Sequence, residues 1–260
     1  EVTYLPVNEQ GLVEAELIEK HLREDTILIS IMLANNETGA IQPIKKIVKK
    51  IKEFSSDCII HTDACQAGNW LPIDVQDLGV DLLSLDSSKI YGPKGVGCLF
   101  VRTGLALYPI IYGGTQEKNL RAGTHNVAGI VGFAEAFNIS RKRYKKDVLK
   151  IEKLKKYLIE ELELLPGITI NTKADKSLIH IVNFSLANVK AIEAVEKLNK
   201  QGIFISAGAA CTTGSLRPSH VVLAQTGSVS LATNALRVSF GRGSKKTDVD
   251  KLIRALKHLS

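Results

Sequence analysis

Apolar positions divide the chain into two parts of different texture. Over residues 1–125, short apolar runs alternate with amphipathic stretches. The spacing predicts strands over 26–33, 58–62, 81–85 and 97–101 and a helix over 43–54. Near-continuous apolar strands separated by helices specify an α/β layer around a largely parallel sheet, because each strand is covered on both faces. From about 129 to 165, apolar residues recur every three or four positions, at Tyr144, Val148, Ile151, Leu154, Leu158 and Leu162. That period predicts one long amphipathic helix, stopped by Pro166-Gly167. Shorter strands follow over 168–171, 180–185, 204–206 and 236–240, with helices over 189–201 and 247–259. The expected organisation is therefore part of a large α/β domain (1–128), a connecting helix (129–166) and a small C-terminal α+β domain (167–260).

Composition narrows the classes. At 45% hydrophobic and 23% charged residues in 260, the chain has an ordinary globular balance. No apolar run approaches the ~18 residues that span a bilayer, so no membrane partner is expected. The four cysteines, Cys58, Cys65, Cys98 and Cys211, lack the CxxC spacing of zinc sites and disulfide scaffolds. A reducing, cytoplasmic setting fits them. The net charge of +7 is concentrated in Arg141-Lys142-Arg143-Tyr144-Lys145-Lys146 and Lys153 to Lys156. These are expected on a solvated face of the long helix, and with no nucleic-acid motif beside them no direct nucleic-acid partner is expected. Glu1 is followed by the strand-like run Val2-Thr3-Tyr4-Leu5-Pro6-Val7 without an initiator methionine, so the chain is expected to start partway through a longer protein.

Candidate chemistry collects just past the predicted strands, where open α/β sheets place their ligands. Asn35 and Asn36 follow the first strand, Asp63 and Gln66 the second, and Lys89 the third. Lys89 lies between the small polar Asp86-Ser87-Ser88 and the rigid turn Ile90-Tyr91-Gly92-Pro93-Lys94-Gly95. A small shell around an amine leaves room for a carbonyl ligand, and a desolvated lysine becomes a Schiff-base nucleophile. Asp63 offers the carboxylate that keeps a pyridine nitrogen protonated. His61-Thr62-Asp63 could be half of a metal site, but no second pair of ligands appears. Cys211 sits among Ala, Gly, Thr and Ser, a setting of exposed loop rather than core. Cys58, Cys65 and Cys98 sit in or beside apolar strands and are expected to be inert.

Several blocks resemble the cysteine desulfurases, of the class V branch of the fold-type I pyridoxal-phosphate (PLP) enzymes. They are Asn35-Asn36-Glu37-Thr38-Gly39, His61-Thr62-Asp63-Ala64-Cys65-Gln66, and Leu85 through Gly95. They continue with Gly113-Gly114, Leu120-Arg121-Ala122-Gly123-Thr124, Ser206 through Thr212, and Leu236-Arg237-Val238-Ser239-Phe240-Gly241. They run in family order over nearly the whole chain. The resemblance implies that this is the C-terminal two-thirds of such an enzyme. It further implies that roughly another hundred residues precede Glu1, a size consistent with completing a large domain. The Gly-Thr turn for the cofactor phosphate and the histidine that stacks on its ring would lie there.

The resemblance also implies roles. Lys89 carries the cofactor and moves protons, Asp63 pairs with the pyridinium, and Asn36 and Gln66 bond the ring substituents. Thr124 reaches the phosphate of a neighbouring subunit in a homodimer. Arg237, with Asn36, holds the L-cysteine carboxylate, and Cys211 takes its sulfur as a persulfide, releasing L-alanine. The form of the Cys211 loop is similar to the group feeding iron–sulfur scaffolds and tRNA-thiolation proteins. Two positions depart from the pattern: Asp86 and Ser88 stand where the family has a phosphate-binding Ser and a His. An acidic group beside a phosphate repels it unless turned away, so a degenerate, non-catalytic partner-binding subunit is the alternative. Within PLP chemistry, a selenocysteine lyase and an aminotransferase are further alternatives, the second needing no nucleophilic thiol.

Overall fold

A computed structural model describes residues 1–173, 177–208 and 217–259. Its first sheet has the order β1 (Leu28–Ser30), β2 (Ile59–Asp63), β3 (Leu82–Asp86), β4 (Gly97–Val101). The first three strands are parallel. Helices α1 (Ala15–His21), α2 (Ile44–Phe54) and α3 (Val75–Leu78) accompany them. On α2, Ile44, Ile47, Val48 and Ile51 fall on one helical stripe and are buried. They pack with Ile18, Ile60 and Leu83 into the first core.

The second sheet is antiparallel throughout, in the order β5 (Ile168–Ile170), β6 (Ile181–Leu186), β8 (Ala235–Ser239), β7 (Ser206–Ala207). All six residues of the central β6 are buried. Around it lie α5 (Ala191–Asn199), α6 (His220–Thr226), α7 (Val229–Thr233) and α8 (Lys246–Leu256). The 37-residue α4 (Val127–Glu163) serves both halves. Its Phe133 and Ala136 pack on Ile90, whereas Ile151, Leu154, Leu158 and Leu162 enter the core of the second sheet.

The turn from Asn35 to Gly39 ties the halves together. Leu178 N–H donates to the Gly39 carbonyl at 2.7 Å, Thr172 Oγ1 to the Thr38 carbonyl at 2.8 Å, and Asn183 Nδ2 to the Glu37 carbonyl at 3.2 Å. The buried Glu37 carboxylate accepts from Ser219 Oγ at 2.6 Å. Arg237 donates to the Asn36 carbonyl at 2.9 Å.

The first sheet is largely parallel, as expected, with one antiparallel edge strand, β4, beside β3. About ten residues separate the two strands, too few for the crossover that a parallel return needs. Several expectations are corrected. Residues 2–7 form no strand, and β1 is only three residues long. The strand expected over 204–206 is Ser206–Ala207. Cys98 is exposed rather than inert in a core, because β4 is the edge strand of its sheet and its first three residues are exposed. The short helices α1, α3, α6 and α7 are too brief to show a period. α3 is instead set by its ends, with Asp74 accepting from the N–H groups of Gln76 and Asp77, and Gly79 in the left-handed region at φ 73°. Among the described residues, no helix is long and apolar enough to cross a membrane.

Candidate active site

The parallel pairing of β2 with β3 sets Asp63 opposite Ser84, with Asp86 two residues further along at the end of β3. Asp63 is exposed, and its Oδ1 accepts the Cys65 N–H at 2.9 Å. Past Asp86 the chain makes one 3-10 turn, Ser88–Ile90, with Lys89 in its middle. The Asp86 carboxylate turns back on this turn, accepting Ser88 N–H at 2.8 Å and Ser88 Oγ–H at 3.0 Å. The two residues that depart from the family pattern are thus engaged with each other. Lys89 is exposed rather than desolvated by a small shell, because the sheet edge around it is open. Its backbone is what the fold fixes: the Lys89 carbonyl accepts from Asn69 Nδ2 at 3.1 Å.

The Cys65 thiol is pushed up to about 12 by burial, then by its hydrogen bond to Asp63 and the charges of Asp63 and Asp86, against a smaller pull from Lys89. Arg237 arrives from β8, donating to the Asn36 carbonyl and, at 3.3 Å, to Ser206 Oγ. Between the two sheets lies His180, stacked on Trp70 with ring centroids 4.7 Å apart. Burial, then the charges of Lys155, Arg237 and Lys89, lower its pKa to about 3. Its buried Nδ1 has no hydrogen-bond partner among the described residues. Lys155 is itself buried, donating to Ser177 Oγ and the Leu178 carbonyl, and burial lowers it to about 8.

The structure brings Asp63, Asp86, Ser88 and Lys89 to one edge, and Arg237 of the second sheet bonds the Asn36 carbonyl in the turn after β1. Gln66 lies half-buried just past Asp63, and Thr124 is exposed in the loop entering α4. Cys211 lies outside the described residues. A groove of about 750 Å³ between residues 1–5 and β1 is separate from the Lys89 edge. His61 is no metal ligand: its ring nitrogens are engaged by Ser30 Oγ at 2.8 Å and Ser84 Oγ at 2.9 Å across the sheet.

His180, Trp70 and Asn69 escaped the sequence reading. His180 sits in the apolar run Leu178-Ile179-His180-Ile181, where a lone polar residue is the available signal. A histidine kept neutral by burial costs stability in acid. Its folded pKa lies below the unfolded 6.5, so the unfolded chain binds the extra proton and stability falls as pH drops from 6.5 toward 3. Between pH 7 and pH 4 the protein should lose about 3 kcal/mol more than the His180→Phe variant. Urea unfolding of both at the two pH values measures this, and equal losses would refute it.

Comparison with known proteins gives the family. The aminotransferase class-V model matches residues 1–252. The chain belongs to that family. Cysteine desulfurase IscS of Dictyoglomus turgidum is 41% identical over 260 residues, 100% of this chain and 66% of the relative. The IscS of Methanosarcina thermophila is also 41% identical, over 98% of this chain and 63% of its own length. A solved NifS-like protein superposes with a TM-score of 0.91 at 34% identity, covering 100% of this chain and 68% of that one. The chain thus spans slightly less than two-thirds of the length of these curated relatives. The architecture of this class-V aminotransferase chain is that of the PLP-dependent fold-type I proteins.

The donor set fits PLP. An exposed amine at the end of β3 can reach an aldehyde, and an exposed carboxylate on the neighbouring β2 can pair with a ring N–H. The Arg237 guanidinium, bonded to the Asn36 carbonyl, is of the chemistry that suits an amino-acid carboxylate. Asp86, the one charge that opposes a phosphate, is held by Ser88.

Proposed function

We propose that the protein is a cysteine desulfurase that moves sulfur from L-cysteine to its own Cys211 as a persulfide and releases L-alanine. The observation that supports this reading is that Asp63 and Lys89 lie at the ends of neighbouring parallel strands of the first sheet, while Arg237 of the second sheet reaches the first half at the Asn36 carbonyl. PLP, when bound, supplies an electron sink that weakens bonds at the substrate's α and β carbons. The chain's own residues do the rest. Arg237 holds the carboxylate in a two-pronged hydrogen bond, and Asn36, whose carbonyl Arg237 already grips, stands beside it. Asp63 keeps the ring nitrogen protonated, while Gln66 and Ser88 lie within the same rim and Thr124 serves a neighbouring subunit's phosphate. Lys89 carries and returns protons at the α carbon. The Cys211 thiolate attacks the substrate sulfur. The carbon–sulfur bond breaks, and the electron pair left on carbon takes a proton to give the methyl of alanine.

Exposed Ile110, Ile111, Tyr112, Val127 and Val131, in the stretch that contains Thr124, support a homodimer. An iron–sulfur scaffold or a tRNA-thiolation protein in the cytoplasm is the proposed sulfur acceptor.

The test is to supply PLP-loaded protein with L-cysteine and a thiol reductant. Alanine and sulfide should appear in equal amounts. Formation of a keto acid without sulfide would make it an aminotransferase, and no product at all would favour the non-catalytic subunit.

A further inference from the structure

Arg242 lies five residues past Arg237, just beyond the end of β8, and makes contacts on three elements. Its Nε donates to Asp147 on α4 at 2.7 Å. Its Nη2 donates to Asn69 Oδ1 at 3.3 Å. Its guanidinium carbon lies 4.4 Å from the centroid of the Tyr91 ring. Its backbone N–H donates to Tyr91 Oη at 2.9 Å. Two of these partners hold Lys89. Asn69 is the residue whose amide grips the Lys89 carbonyl, and Tyr91 closes the Lys89 turn.

The pieces are specific to this arrangement. Asn69 is buried and its Oδ1 also accepts from Ser140 on α4, so its side chain has one orientation. Asp147 is buried too, and Arg143 shares it. Tyr91 has a φ of 66°, a region a bulky side chain adopts only when its surroundings hold it there. Gly241 admits the tyrosine: a Cβ there would lie 2.9 Å from Tyr91 Oη. Only a planar guanidinium can bond Asp147 and Asn69 along its edge while stacking its face on Tyr91.

We propose that Arg242 is a positioning residue that sets the spacing between the Lys89 amine and the Arg237 guanidinium across the two sheets. It touches neither substrate nor cofactor. It joins the end of the strand carrying Arg237 to the turn carrying Lys89. The inference rests on the desulfurase reading for its kinetic arm only.

Three variants test it in the PLP-loaded protein. Arg242→Lys keeps a charge beside Asp147 but loses the fork and the stack. Arg242→Ala removes all three contacts. Tyr91→Phe keeps the ring and loses the acceptor. A misplacement of about 1 Å costs roughly 10²-fold, so kcat should fall about 10²-fold in Arg242→Ala and about 10-fold in Arg242→Lys. The KM for L-cysteine should stay within about threefold, because Arg237 keeps its own bonds to Asn36 and Ser206.

Two readouts do not need turnover. The pH midpoint of the visible band of bound cofactor, which reports the Lys89 nitrogen, should shift in the same order, least in Tyr91→Phe. In cofactor-free protein, amide exchange at Ile90 and Gly92 should quicken about tenfold in Arg242→Ala. If the parent protein fails to turn over cysteine, the desulfurase reading falls and these two readouts still decide Arg242. Unchanged midpoint and exchange in both Arg242 variants would overturn the proposal. So would variants whose folded fraction retains the parent kcat.

Discussion

Lys89→Ala will abolish both the covalent attachment of PLP and turnover. The 3-10 turn, the Asn69 bond to the Lys89 carbonyl and the Asp86–Ser88 pair use no atom of the lysine side chain, so the rim keeps its shape and only the amine is lost. A positioned proton-transfer group is worth about 10²–10⁴-fold, and the loss here should reach the upper end because the same nitrogen also holds the cofactor. Among the described residues, Lys155 is a second candidate amine. Burial leaves Lys155 at about 8, so part of it is neutral in mild alkali. It is walled in, however, by Ser177 Oγ and the Leu178 carbonyl. Borohydride reduction followed by peptide mapping should find a pyridoxyl group on Lys89 in the parent protein and on no residue of the variant. A labelled Lys155 in Lys89→Ala would overturn the assignment.

Cys211→Ser should bind cofactor and L-cysteine normally and yet make no persulfide. The substrate's carboxylate and amine are held by other residues, and the thiol enters only when sulfur leaves. The alternative acceptor on the same rim is Cys65. With its thiol at about 12, only about one molecule in 10⁴ is thiolate at pH 8, so it cannot substitute at a useful rate. Sulfide release should therefore drop to about 10⁻³ of the parent value or less, while the spectral change on adding cysteine survives. Trapping the protein with an alkylating reagent and mapping the persulfide measures both. Sulfur found on Cys65 would show that its environment during turnover differs from the one described here.

The layered character of the fold was legible because α2 and α4 are long enough to show a period and β2, β3 and β8 are compact apolar runs. Asp63 and Lys89 stand out in the sequence as polar residues at the ends of apolar strands, whereas Arg237 lies inside β8 and is singled out by the resemblance alone. Lys89's exposure was misjudged. Small neighbours in sequence do not say whether the surrounding sheet edge is open. His180, Asn69 and Arg242 act through contacts with residues far away in the chain, at separations no local window samples. Cys211 remains an assignment from the sequence alone.

The web around Asn35 to Gly39 has a mechanical consequence. Many two-lobed enzymes admit a substrate by swinging one lobe about a pliable hinge. Here a single five-residue turn receives bonds from Thr172, Leu178, Asn183, Ser219 and Arg237. Opening the lobes as rigid bodies would break all of them together, at about 0.5–1.5 kcal/mol each, and would strand the buried Glu37 carboxylate. The halves of the molecule are therefore held against a rigid-body swing about this turn.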